Sequence, residues 1–354
     1  MVGEAGWEVP FSYRGAIDEA AEVRRSAGVF DLSHFGRIRI RGEGSLALLE
    51  RACTTDAVRQ EDDTAAATLL CNESGGIIDL CRLVRLEDSW LLVTSPLCRV
   101  KVLEHLSGLA EKFGAKVDDR TLKTVQLAVC GPAAAKRLDA VLPERVSDMP
   151  EGAVKSGSFL IAKYAAIRAG LGGVWGLEVV IPDMLAGKAW DFITAKAGAS
   201  AVAPAGMGAM DILRIEAGMP RYGCELNETI DPITAGLETL VDVNHDFMGR
   251  SAIERVSARG TSRRRVGLVI EAQEGARQGG TIARQGTPVL RADGTECGSI
   301  TSATFSPTLG KVVAMAYLPG DAAVAGTGLL VAAEAGGPRR GGRNAVAAEL
   351  PFVR

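Results

Sequence analysis

Arg168-Ala169-Gly170-Leu171-Gly172-Gly173-Val174-Trp175-Gly176-Leu177-Glu178 spaces its glycines between two apolar runs and closes on an acid. Glycine accepts positive φ and close backbone approach at little steric cost, so such a run marks a tight connection. The residues from Phe159 to Ile167 before it and from Gly176 to Ile181 after it both read as strands. A nucleotide-binding glycine loop lies instead between a strand and a helix. Strand-to-strand placement therefore argues against a dinucleotide fold and for antiparallel pairing.

Working outward, the same reading recurs. Arg37-Ile38-Arg39-Ile40-Arg41 alternates with period two, and Gly42-Glu43-Gly44 parts it from a helical run at Leu46 to Glu50. Thr68 to Cys71, the turn Asn72-Glu73-Ser74-Gly75-Gly76 and Ile77 onward predict a hairpin, followed by a strand at Trp90 to Thr94. Helical periodicity runs from Arg99 to Phe113. A strand at Val125 to Val129 meets a helix after Gly131-Pro132, where proline suits a first turn, and a further helix is expected from Met184 to Lys196. From Arg265 the pattern changes to short apolar runs rich in glycine, among them Val266 to Ile270, Ser299 to Ser302, Val312 to Tyr317 and Leu329 to Val331. That pattern predicts a separate all-β domain, with Ser257 to Thr261 as the linker.

The 354 residues suffice for two or three domains, and 47% hydrophobic with 23% charged residues describes a globular chain. A net charge of -3 gives no electrostatic case for nucleic acid or an anionic membrane. The basic runs Arg263-Arg264-Arg265 and Arg339-Arg340 with Arg343 are short and read as solvated loop or strand edge. Met1 to Trp7 has no signal-peptide character, and no window reaches the roughly 20 apolar residues of a membrane span. Seven scattered cysteines without a CxxC pair argue against disulfides and a zinc site. The expectation is a cytoplasmic protein with reduced thiols and no metal.

Chemistry has few carriers. Of three histidines, His105 falls on the amphipathic helix, while His34 and His245 lack ligand spacing or a nucleophile elbow. For His34 a hydrogen-bonded structural role is expected. Glu178 sits inside an apolar strand, where an acid needs a partner or a water-facing edge. At the end of a glycine loop it also has the geometry to accept paired N–H donors from an aminopyrimidinone ring. Asp211 and Glu216 read as parts of a helix, Asp211 near its start and Arg214 pairing across a turn.

Several collinear stretches resemble the aminomethyltransferase (T-protein) family of the glycine cleavage system. They include Gly6-Trp7-Glu8-Val9-Pro10, Gly28 to His34, Asn72 to Asp79, Cys130-Gly131-Pro132, Gly170 to Glu178, Leu213 to Gly223, Asp246 to Arg250 and Thr301 to Leu309. The resemblance implies an α+β fold: a three-domain cloverleaf around a central cavity, two interleaved α+β domains with antiparallel sheets, and a C-terminal all-β barrel-like domain. Combined with the pattern above, it divides the chain into 1–48 with 120–200, 49–119 with 201–258, and 262–354. It implies one-carbon transfer to tetrahydrofolate or a related folate, with a lipoyl carrier (H-) protein as partner and a small-molecule ligand in the cavity.

On that resemblance the family's Gly-Gly-Ile-x-Asp-Asp is here Gly75-Gly76-Ile77-Ile78-Asp79-Leu80, placing Leu80 at the acid beside the reacting nitrogen. Asp79 is the remaining candidate acid, but adjacent strand residues face opposite ways, so replacement needs a register shift or bulge. The loop keeps Glu178 for the pterin ring and carries Leu171 and Val174 where polar residues are expected; Met210 stands for a folate-side arginine and Ser95-Pro96 for asparagine-alanine. Tyr222 is the candidate wall or hydrogen-bond donor. Asp246 stands where the iron-sulfur maintenance branch has cysteine. The expected ligand-site set is Glu178, Tyr222, Leu80, Leu171, Val174 and Met210. Two other functions remain open: a non-catalytic folate- or ligand-binding regulatory protein, and a one-carbon transferase or demethylase acting on a different, apolar donor.

Overall fold

The computed structural model describes residues 1–159, 162–271, 283–332 and 342–353. Strands β1 (Val2–Glu4) and β2 (Trp7–Val9) pair ahead of helix α1 (Ala16–Arg25), and β3 (Gly28–Asp31) enters a first large sheet. The chain then crosses to a second sheet through β4 (Gly36–Arg41). There follow α2 (Ser45–Ala52), the meander β5 (Ala65–Cys71), β6 (Ile77–Leu86) and β7 (Ser89–Thr94), then α3 (Arg99–Phe113) and β8 (Lys116–Asp119). This sheet has the order β5-β6-β7-β4-β8, antiparallel throughout.

The chain returns with β9 (Thr124–Cys130), α4 (Ala134–Asp139), β10 (Val154–Phe159), β11 (Ala162–Arg168), β12 (Gly176–Pro182), α5 (Ala186–Asp191) and β13 (Ala203–Pro204). The first sheet is ordered β10-β11-β12-β9-β3-β13 and is antiparallel except where β13 lies parallel to β3. Helices α6 (Met207–Glu216), α7 (Pro232–Ala235) and α8 (Arg250–Arg259) lead to the C-terminal strands β14 (Arg263–Ile270), β15 (Pro288–Leu290), β16 (Glu296–Ser306), β17 (Lys311–Pro319), β18 (Gly328–Val331) and β19 (Arg343–Ala348), which close a barrel. The α+β reading with a terminal barrel therefore holds.

Several boundaries move. The change of sheet falls between Asp31 and Gly36, not after residue 48, because Ile38 and Ile40 are buried with Leu48, Leu83 and Leu92 in the second sheet's core. Residues 203–213 likewise lie with the first sheet: β13 pairs with β3, and α6 shares an apolar cluster with α1 and Phe30. The expected linker shrinks because α8 continues to Arg259 and Gly260 caps it at φ 76°. The stretch from Met184 to Lys196, expected as one helix, is helical throughout but changes type, from a 3-10 turn at Asp183–Leu185 through an α segment at Ala186–Asp191 to a π turn at Phe192–Lys196. Leu160, Ile161, Arg339 and Arg340 lie outside the described residues.

Both crossings between the sheets are tied by one side chain. Arg37 is fully buried, and its guanidinium donates to the carbonyls of Phe35 at 2.7 Å, Ser33 at 3.0 Å, Thr121 at 2.7 Å and Thr124 at 2.9 Å. Charged donors to carbonyls in a dry setting are strong hydrogen bonds. Burial lowers the Arg37 pKa to about 10, so it stays cationic at neutral pH.

Candidate functional site

The faces that the two sheets turn to each other bury Val84, Leu91 and Val93 from one and Ile167 and Val180 from the other. Glu178 lies on that first-sheet face, with Ile167 and Ala128 as cross-strand neighbours. It is 3% exposed. Its Oε2 accepts Gln126 Nε2 at 2.6 Å and pairs with Arg82 Nη1, from β6 in the other sheet, at 2.6 Å. The partner that a buried strand acid requires is thus supplied across the sheets. Gln126 Oε1, buried beside this pair, has no hydrogen-bond partner among the described residues. Burial first, and then Glu178, pushes the nearby Cys130 thiol well up, so it stays protonated.

The glycine loop that leads to Glu178 is shaped by α6. Gly172 and Gly173 have φ of 59° and 76°, and a Cβ on Gly172 would fall 2.6 Å from Leu213 Cβ. Leu171 bridges to Val174, and both rest on the apolar cluster that contains Met210, Leu213, Phe30 and Ala128. The structure therefore brings Leu171, Val174 and Met210 together as apolar packing. Ala128 in that cluster is the direct neighbour of Glu178, so the packed patch borders the acid.

Asp79 and Leu80 face opposite sides of β6. A bulge does occur in this hairpin, but at Ile78: Leu70 pairs with Asp79 and Cys71 with Ile77. It leaves Asp79 fully buried on the α3 side of the sheet. There its carboxyl accepts Ser95 N at 2.8 Å, Ser95 Oγ at 2.5 Å and Cys81 Sγ at 3.3 Å. Burial raises the Asp79 pKa, opposed by the Ser95 hydrogen bonds. Leu80 packs instead on the cluster of Leu69, Ile77, Leu226 and Ile230. Ser95 thus holds the Asp79 carboxyl on the face opposite Leu80.

Tyr222 packs on that cluster too and on the second sheet's core. Its hydroxyl accepts Lys101 Nζ at 2.5 Å, and the ammonium lies 4.2 Å from its ring centroid. Lys101 also reaches Glu228 at 2.6 Å. The hydroxyl of Tyr222 thus accepts from Lys101 and donates to Glu228 at 3.4 Å, and the ammonium covers part of its ring.

His34 is buried, but neither ring nitrogen has a hydrogen-bond partner among the described residues, which corrects the expected hydrogen-bonded role. Burial lowers its pKa to about 4, so the Glu4 carboxylate 3.9 Å away faces a neutral ring at pH 7. His245 meets the Cys53 carbonyl at 3.0 Å. Asp211 and Glu216 are structural: Arg214 bonds Asp211 at 2.8 Å and Glu225 at 2.8 Å, and Glu216 pairs with Arg24 at 2.9 Å. Asp246 is exposed and pairs with Arg51 at 3.2 Å. Arg263 and Arg264 are exposed as expected, whereas Arg265 is partly buried and bonds the Ala235 carbonyl at 2.9 Å. All seven cysteines are free, and among the described residues no group of three His, Cys, Asp or Glu could hold a metal ion.

Arg82 and Gln126 are the contributors that the sequence reading missed, and Ser95, noted there as a replacement, turns out to hold Asp79. One signal was available for Arg82: period two places it on the face of Leu80. A hollow of about 550 Å³ opens elsewhere, between Thr229–Thr234 and Arg259–Arg263, and contains none of the expected site residues.

Two interleaved sheets, a closed terminal barrel and a buried acid behind a glycine loop define the class of protein against which known ones can be compared. Residues 1–245 match the GCVT N-terminal domain, and residues 263–353 match the glycine cleavage T-protein C-terminal barrel domain. An aminomethyltransferase of Desulfitobacterium hafniense (strain Y51) is 34% identical over 328 residues, 92% of this chain and 88% of that one. Another from Geobacillus kaustophilus is 36% identical over 330 residues, 91% of this chain and 87% of that one. The crystal structure of the glycine cleavage system aminomethyltransferase T from Bartonella henselae superposes with a TM-score of 0.88 at 28% identity, covering 99% of this chain and 93% of that one. The chain belongs to the glycine cleavage aminomethyltransferase (T-protein) family.

Proposed function

We propose that this protein binds a tetrahydrofolate-type ligand at the face between its two sheets and performs aminomethyl-type one-carbon transfer slowly. Glu178 holds the ring, with Tyr222 and Leu80 as apolar walls. The residues at the ring end fit such a ligand: an acceptor carboxylate and the unpartnered Gln126 Oε1 stand together in a dry setting, where N–H donors satisfy both. When bound, the folate nitrogen would accept the one-carbon unit.

The observation that carries the slow rate is the turn of β6. Leu80 occupies the expected acid position, while Asp79 is bound by Ser95 on the other face. A positioned acid contributes about 10²–10⁴-fold in rate, and the chain has no ionisable side chain at position 80. The remaining residues bind and orient. A lipoyl carrier protein is the expected donor, in keeping with the family.

Titration calorimetry with tetrahydrofolate on the wild type and on Glu178→Ala tests the reading. Saturable binding by the wild type, weakened at least about tenfold in the variant, is expected. A wild type that shows no saturable binding overturns the folate assignment.

A further inference from the structure

We propose that Arg82 is the cation with which this protein reads the carbonyl-bearing edge of its heterocycle, so that one ring is gripped by a guanidinium from one sheet and a carboxylate from the other. This rests on the folate reading above and deepens it by assigning specificity. The resemblance placed the folate-side cation on the segment now seen as α6, where this chain has Met210, packed among apolar neighbours. A positive charge stands next to Glu178 nonetheless, delivered by β6: Arg82 Nη1 lies 2.6 Å from Glu178 Oε2.

Three features separate this pair from an ordinary sealed ion pair. The Glu178 side chain is 4% exposed and that of Arg82 27%, so the arginine side of the pair is the more open one. Among the described residues Arg82 pairs with Glu178 through Nη1, leaving further N–H donors of the fork for a ligand. Gln126 Oε1 is an orphaned acceptor beside them, and a buried acceptor without a donor costs free energy until one arrives.

The chemistry of the ligand follows from this order of groups. Carboxylate and guanidinium at 2.6 Å cancel as net charge, so neither a free anion nor a free cation gains much. An uncharged planar edge gains most when its N–H donors face Glu178 and Gln126 and its carbonyl oxygen faces Arg82. An aminopyrimidinone presents that edge. A 2,4-diaminopteridine replaces the carbonyl by an amino group and sets donors against the donors of Arg82.

The test compares tetrahydrofolate with a 2,4-diaminopteridine analogue by calorimetry on the wild type, Arg82→Leu and Arg82→Gln, with thermal unfolding confirming that each variant folds. The wild type should prefer the oxo ligand at least about tenfold, and Arg82→Leu should bring the two ligands within about twofold. Should Arg82→Leu fail to fold, Arg82→Gln carries the test: its amide donates or accepts, so the preference must also shrink. Binding of both ligands with the wild-type ratio retained in a folded variant overturns the role of Arg82 and leaves the folate reading intact. Absence of saturable binding of either ligand to the wild type overturns both.

Discussion

Leu80 and Asp79 carry opposite chemistry on consecutive positions of one strand, and the pleat sends them to opposite faces of the sheet. Ser95 fixes the outcome by giving Asp79 a backbone and a hydroxyl donor on the α3 side. His34 offers a residue-scale test of the buried packing around Glu4 and Phe35. Its ordinary pKa of 6.5 falls to about 4 on burial, with Asp31 acting the other way and Arg221 and Arg37 reinforcing the fall. A base with a depressed folded-state pKa stays neutral in the native state while the unfolded chain takes up a proton. Its contribution is therefore complete above pH 6.5 and is lost as the pH falls towards about 4. Urea unfolding across that window should show about 3 kcal/mol less acid-induced loss in His34→Leu than in the wild type. Parallel curves for the two proteins would contradict the buried neutral imidazole.

At the scale of elements, the glycine loop and α6 form one unit. A Cβ on Gly172 would clash with Leu213, whereas one on Gly173 would meet Ala217 Cβ at 3.6 Å and Arg24 Nη1 at 4.0 Å, both ordinary contacts. Gly172→Ala should cost about 3 kcal/mol by combining a left-handed backbone with a clash, and Gly173→Ala about 1 kcal/mol from the backbone alone. Equal losses in denaturant unfolding would show that contact with α6 does not shape the loop. These elements also mark what the sequence could disclose. The span Arg99–Phe113, the hairpin around Asn72 to Gly76 and the β character of the C-terminal part follow from local periodicity and turn chemistry, and they stand. The acid Glu178 was legible because a carboxylate in an apolar strand demands an explanation. Its partner Arg82 was legible only as a residue of the Leu80 face, because the pairing itself is set by how two sheets face each other. The sheet change before Gly36 was missed for the same reason: alternation identifies a strand but not its neighbours.

Over the whole molecule, the interleaving of the two sheets makes each crossing a weak point, and Arg37 answers it by binding four carbonyls from the two crossings. Replacing it leaves several buried acceptors without donors, at about 1–3 kcal/mol each. Arg37→Met should therefore lose about 3 kcal/mol or more in chemical unfolding, and Arg37→Lys, which lacks the fork, should recover only part of it. A loss below about 1 kcal/mol would mean that the crossings hold without Arg37. The architecture of the family is thus intact, and on the reading proposed above Arg82, Gln126 and Glu178 form the polar set at the face between the sheets. Ammonia release in a single turnover, measured after mixing the tetrahydrofolate-saturated protein with aminomethylated lipoyl carrier, distinguishes a kept frame from a kept activity. The rate should be about 10²–10⁴-fold below that of a relative carrying an acid at the position of Leu80. An equal rate would mean that the chemistry does not depend on that acid and that the reading of Leu80 is wrong.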